Sequence, residues 1–156
     1  LVIIAKTPEA EELFLAAIKN RDVQKTYLCV TFGRPTPPDA TLGGYLLKDA
    51  DRGIVKIVED KQPGAKEVET RYETIAVSGR LALLKVQLIT GRTHQIRVQF
   101  ASRKHPLAGD GKYGSRVKGS IALQSCGLQF LHPETGKPMA FTLPLPEGAF
   151  WKPFEG

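Results

Sequence analysis

Between Leu84 and Pro106 the chain changes its periodicity, and that change limits the folds that can hold it. Leu84, Val86 and Leu88 alternate with Lys85 and Gln87, the period of a strand with one apolar face. The alternation stops at Thr90-Gly91, where glycine permits a sharp turn. Ile96 and Phe100 then fall on one helical face with Ala101 beside them, and His105-Pro106 ends the run. Thr93 is predicted to cap this helix. Arg97 follows Thr93 and His94 at helical spacing, so these polar groups share a face that Ile96 and Phe100 do not occupy. Arg92, Arg97 and His94 therefore gather near a helix N-terminus, which suits anions. A solvated basic helix start with nothing bound would satisfy the same pattern.

The flanking sequence predicts mostly strands. Thr7-Pro8, followed by Glu9, Glu11 and Glu12, reads as a cap, a first-turn proline and first-turn acids. Leu13, Phe14, Ala17 and Ile18 continue as the apolar stripe of an amphipathic, core-covering helix. Lys25 to Gly33 is a strand with Leu28, Val30 and Phe32 on one face and Tyr27, Cys29 and Thr31 on the other, so Tyr27 is expected to point away from the more apolar side. Gly33 to Gly44 carries too many prolines and glycines for a regular element and reads as a surface loop. Ile54 to Val58 is a short strand. Val68 to Val77 and Leu81 to Ile89 form an antiparallel hairpin through Ser78-Gly79, and Ile121 to Leu131 with Met139 to Leu143 form a closing one. Phe150, Trp151 and Phe154 are expected to anchor the C-terminus by packing. One α+β domain over 1–156, a mainly antiparallel mixed sheet with a few flanking helices, is the economical fold.

Charge and cysteine content narrow the function. Twenty-two Lys and Arg against 16 Asp and Glu give a net charge of +6, which favours a polyanionic partner. Cys29 and Cys126 stand alone, without a disulfide framework or a Cys-x-x-Cys site, and suggest a reducing cytoplasm. His94, His105 and His132 lack the spacing of zinc ligands, so no metal is expected. No apolar run reaches membrane-spanning length.

Gly91-Arg92-Thr93-His94-Gln95-Ile96-Arg97 resembles the signature of the RluA-type pseudouridine synthases. Lys25-Thr26-Tyr27 resembles that family's Lys-x-Tyr motif, and His105-Pro106-Leu107-Ala108-Gly109-Asp110-Gly111-Lys112-Tyr113-Gly114 its His-Pro-x-x-Gly-Asp-x-x-Tyr-Gly segment, in the same order along the chain. The resemblance implies a pseudouridine synthase-like fold and an enzyme that isomerises uridine in structured ribosomal or transfer RNA. It also implies no cofactor, and a monomer is expected. Tyr27 matches the tyrosine that stacks on the target uracil and helps remove its C5 proton. Arg97 matches the arginine that pairs with an aspartate nucleophile, although Arg92 could exchange roles with it. Lys25, Arg92, Thr93, His94, Gln95, Lys112 and Tyr113 are expected at the RNA.

The family's aspartate sits in a His-Arg-Leu-Asp motif immediately before an apolar strand similar to Leu1-Val2-Ile3-Ile4-Ala5-Lys6. The chain is therefore expected to be the C-terminal part of a catalytic domain that begins just past its nucleophile. Asp110, between two glycines, is first a turn former and is not taken as a substitute. Gln99 stands where the family commonly has His, and Leu123-Gln124-Ser125 where Leu-His-Ala is usual; both are expected to be structural. An RNA-binding module without chemistry, and a hydrolase built on Asp110 and His105, are the competing readings.

Overall fold

The computed structural model describes residues 1–156. Six strands form the main sheet: β1 (Gln24–Phe32), β2 (Asp39–Leu42), β6 (Thr70–Ser78), β7 (Leu81–Leu88), β8 (Leu123–Leu131) and β9 (Pro138–Thr142). Their order is β2-β6-β7-β1-β8-β9, and every pairing is antiparallel, so the sheet is not mixed. A second antiparallel sheet has the order β4-β3-β5, from β3 (Tyr45–Asp49), β4 (Ile54–Val58) and β5 (Lys66–Glu67).

Helix α2 (Gln95–Ser102) lies between the two sheets. Ile96 and Phe100 pack on Cys29, Tyr72, Leu84 and Val86 of the main sheet, and Val98 packs on Leu46, Val55 and Val68 on the other side. Fully burying side chains of this size stabilises by about 1.5–3 kcal/mol each. Gln95 and Gln99 are 2% exposed, so each polar atom they carry needs a partner inside the protein.

The opposite face of the main sheet is also covered. Leu28, Val30 and Phe32 join Leu83, Ala122, Phe150, Trp151 and Phe154 there, so the C-terminal aromatics pack as expected. Tyr27 does not turn away from the apolar side, because β1 is central and has a core on both faces; Tyr27 packs against the cluster containing Phe100. A β-bulge leaves Cys126 unpaired, Thr26 facing Gly127 and Tyr27 facing Ser125. Bulges bend a strand locally and re-aim its side chains.

Three other expectations are corrected. Asp39–Leu42 is no loop but an edge strand on β6, beside which Thr74 donates to the Pro38 carbonyl. Thr7 does cap α1 (Pro8–Lys19), accepting from the Ala10 N–H at 3.1 Å. That helix nevertheless buries no residue: Leu13, Leu15 and Ile18 stay exposed, and Phe14 meets Phe130 edge to face at 5.3 Å. Its stripe rests on the sheet's flank and does not cover the core. Leu1 to Ala5 forms no ladder strand; Val2 and Ile4 are exposed, and Leu1 exchanges hydrogen bonds with Ser125.

Candidate active-site cleft

The turn from β7 into α2 is held by a buried polar chain that runs through the core. The Gln95 carbonyl oxygen accepts from the Arg92 N–H and the Thr90 hydroxyl, both at 2.9 Å. Its amide nitrogen donates to the Glu69 carbonyl at 3.1 Å and to the Thr70 hydroxyl at 2.8 Å. Thr70 passes its own proton to Gln99, which donates onward to the Leu42 carbonyl at 3.3 Å. Each bond to an otherwise buried group avoids a penalty of about 1–3 kcal/mol. The polar atoms of Gln95 thus all have partners inside the protein, and Gln99 has a buried, hydrogen-bonded place in the core.

Thr93 does not cap α2. The cap residue is His94, in the left-handed region at φ 55° and without a side-chain capping bond, a conformation uncommon outside glycine. The Gln95 side chain instead folds back to the Arg92 N–H and ties the helix to the turn before it. Freed from capping, the His94 ring places Nδ1 2.7 Å from the Tyr113 hydroxyl. That hydroxyl also accepts from the Val55 N–H at 3.1 Å. Desolvation and then the Arg97 and Lys112 cations hold His94 below the usual histidine range, against a weaker upward pull from Asp110, which favours the neutral imidazole.

Arg97 is the best-anchored charge in the molecule. Its Nε and Nη2 donate to the two carboxylate oxygens of Asp110 at 2.8 Å each. The hydrogen bond to Asp110, more than its charge, raises Arg97 above the ordinary arginine value. The guanidinium also lies over the Tyr113 ring, 5.0 Å from its centroid, at cation–π distance. Asp110 is fully buried at the start of the short 3₁₀ turn Gly111–Tyr113. Gly109 before it has φ 83°, and a Cβ there would collide with the Ser120 carbonyl; only glycine lets the loop deliver Asp110 to this depth.

A cleft of about 190 Å³ opens in front of Arg97. Tyr27, Arg92, His94, Gln95 and Arg97 supply its polar wall, Leu88, Ile96 and Leu123 its apolar one, and no carboxylate lines it. Five residues selected from sequence therefore meet in one place. Lys25 lies in the adjoining groove. Thr93 and Lys112 are exposed and do not line the cleft. Tyr113 stands behind Arg97 with its hydroxyl occupied, and so is a support and not a wall.

The cleft also removes the competing hydrolase. Asp110 is sealed off with both oxygens on Arg97, and the His105 Nδ1 bonds the Phe32 carbonyl at 3.1 Å. No group of three or more His, Cys, Asp or Glu side chains is placed to hold a metal, and no helix is long and apolar enough to cross a membrane.

A basic cleft with an aromatic wall and a pre-oriented arginine thus sits on an antiparallel sheet. The chain belongs to the RNA pseudouridylate synthase family, whose profile matches residues 1–102. It is 33% identical to the ribosomal large subunit pseudouridine synthase D of Vibrio cholerae, over 94% of this chain and 49% of that protein. It is also 33% identical to an uncharacterized RNA pseudouridine synthase of Bacillus subtilis, over 94% of this chain and 52% of that one. The chain thus spans about half the length of the curated relatives it matches. Among solved structures, human RNA pseudouridylate synthase domain containing 4 superposes with a TM-score of 0.74 at 20% identity, over 90% of this chain and 64% of that one. This likeness establishes the fold.

Proposed function

We propose that this chain forms the base-binding and arginine side of an RNA pseudouridine synthase acting on uridine in ribosomal RNA. The observation that carries the reading is the convergence of Tyr27, Arg92, His94 and Arg97 on one cleft, with Arg97 pre-oriented by Asp110. Isomerisation breaks the N1–C1′ glycosidic bond and joins C5 to C1′; N1 gains a proton and C5 loses one. The Tyr27 ring stacks on the uracil while its hydroxyl takes part in removing the C5 proton. Leu1 donates to the Ser125 carbonyl at 3.0 Å, and Ser125 is the register partner of Tyr27, so the Leu1 end of the chain lies beside the strand that carries Tyr27. Asp110 occupies the Nε/Nη2 edge of Arg97, which leaves the Nη1 edge to hold a catalytic carboxylate ionised and oriented.

Substrate class is supported by charge and by the relatives, four of which carry the ribosomal large subunit in their names. The target base leaves its stack to enter the cleft, as chemistry on a base requires. Cys29 and Cys126 are buried thiols pushed upward by desolvation, which suits a reducing cytoplasm. The test is tritium release from C5-labelled uridine in large-subunit rRNA by the natural full-length protein. Release by the wild type, and its loss in Tyr27→Ala, is expected. Salt-dependent RNA binding without release would make the protein an RNA-binding module instead.

A further inference from the structure

The isomerase reading uses only the cleft, yet a larger basic groove opens from it. A depression of about 330 Å³ shares Leu88 and Arg92 with the cleft and runs past Lys25 to Lys19 and Arg21 at the end of α1. A second, of about 160 Å³, shares Arg21 and Lys25 with the first and continues to Arg71 on β6. No carboxylate lines either part. Lys19, Arg21, Lys25, Arg71 and Arg92 all lack an acidic partner within 4.0 Å; the only salt bridges are Arg52 with Asp49 and Arg97 with Asp110. Among the five, only Arg92 has a side-chain hydrogen bond, from Nε to the Glu67 carbonyl at 3.3 Å.

The geometry of this corner is set for display. Arg21 takes a left-handed backbone, φ 61°, in the tight turn that closes α1, where its N–H bonds the Ile18 carbonyl and the Asp22 N–H bonds the Ala17 carbonyl. A helix C-terminus carries a partial charge of only about −0.5, which the converging cations outweigh. Unpaired cations held together in a concave wall repel one another, and an anion with regularly spaced charges relieves that repulsion.

Resting on the isomerase reading, we infer that this groove is a phosphate track: Lys19, Arg21, Lys25 and Arg71 bind consecutive phosphodiesters of the RNA strand on one side of the nucleotide seated in the cleft. Arg92 stands at the junction and belongs to both. The track directs the strand from the cleft along the β7–β1 side of the sheet towards the end of α1. It supplies affinity and direction, not base identity, because phosphate contacts position without reading sequence.

The natural full-length protein is titrated with a large-subunit rRNA transcript over a range of salt concentrations, and tritium release is measured on the same preparations. In Lys19→Gln/Arg21→Gln/Arg71→Gln, the slope of log K against log salt is expected to shallow by about 2 to 3, because each lost phosphate contact removes roughly 0.7–0.9. The charge-keeping variant Lys19→Arg/Arg21→Lys/Arg71→Lys restores it, which a folding defect would not allow. Lys61→Gln/Lys118→Gln/Lys137→Gln removes as much charge from exposed positions outside the groove and keeps the wild-type slope. An unchanged slope in the groove variant, or an equal loss in the outside variant, would overturn the track. Displacement of RNA by polyglutamate, with the same loss in the groove variant, would give the groove to an acidic protein. Wild-type tritium release with an unchanged slope sinks the track alone; a shallower slope without wild-type release sinks the isomerase reading alone.

Discussion

Arg97 and Arg92 stand five positions apart on one turn of chain, and the protein treats them in opposite ways. Around Arg97 nearly every polar group is already committed: Asp110 fills one edge of its guanidinium, Tyr113 lies beneath it, and Gln95, Thr70 and Gln99 close the chain behind it. Around Arg92, in the groove with Lys19, Arg21, Lys25 and Arg71, the cations are left open. The difference separates two demands on one surface. Chemistry needs groups that do not reorganise when charge develops, whereas backbone binding needs cations that follow a strand. A pair locked by burial resists substitution, and an exposed row tolerates it.

The sharpest way to break this contrast is at Asp110. Asp110→Ala leaves the largely buried Arg97 without its counter-charge, and breaking a buried pair costs about 3–5 kcal/mol. At about 2–4 °C per kcal/mol for a chain of this size, the expected fall in Tm is roughly 6–20 °C. A melt within a degree or two of wild type would mean that the pair does not hold the cleft. Next comes Gln95→Leu, which removes the acceptor of the Arg92 N–H and the Thr90 hydroxyl and the donor to the Thr70 hydroxyl; a loss of about 1–3 kcal/mol in urea unfolding is expected. A loss as small as an exposed Gln→Leu change gives would remove the buried chain from the account.

A smaller effect tests His94. Its folded pKa is depressed, so its contribution to stability is fully present above the unfolded value of 6.5 and is lost as pH falls through the folded one. Arg97→Gln removes the larger of the two cations that lower His94, so the NMR titration midpoint of His94 should rise. An unchanged midpoint would show that Arg97 does not hold the imidazole neutral. The smallest stability effect belongs to the groove, where Arg71→Gln should leave the melt unchanged within error, as surface substitutions usually do. A clear destabilisation would show that the groove is structural after all.

The two regions also differed in how far their sequences could be read. The strand, the turn at Gly91 and the helix with Ile96 and Phe100 follow from local periodicity, and the hairpin of β6 and β7 from alternation and a turn. The burial of Gln95 and Gln99 does not, because it depends on a second sheet closing over α2. That sheet includes β3 and β5, short strands with no strong alternation in a chain rich in turn residues. The Asp110–Arg97 pair was hidden for a related reason: two residues thirteen positions apart meet only because Gly109 admits a loop into the core. Tyr113 looked like an RNA contact since its hydrogen bond to the Val55 N–H exists only in three dimensions. The groove was half legible, through Lys25 and Arg92; Lys19, Arg21 and Arg71 join it only through the fold.

The most direct test of the central claim is the single-turnover rate of pseudouridine formation by Arg97→Lys in the natural full-length protein. Lysine keeps the charge next to Asp110 but loses the planar fork that spans Asp110 and the cleft. The account predicts a fall of about 100-fold or more, the scale of a misplaced catalytic group, in a protein whose fold and RNA affinity are retained. Wild-type turnover in Arg97→Lys would contradict it, and would mean that the locked arginine serves only the architecture.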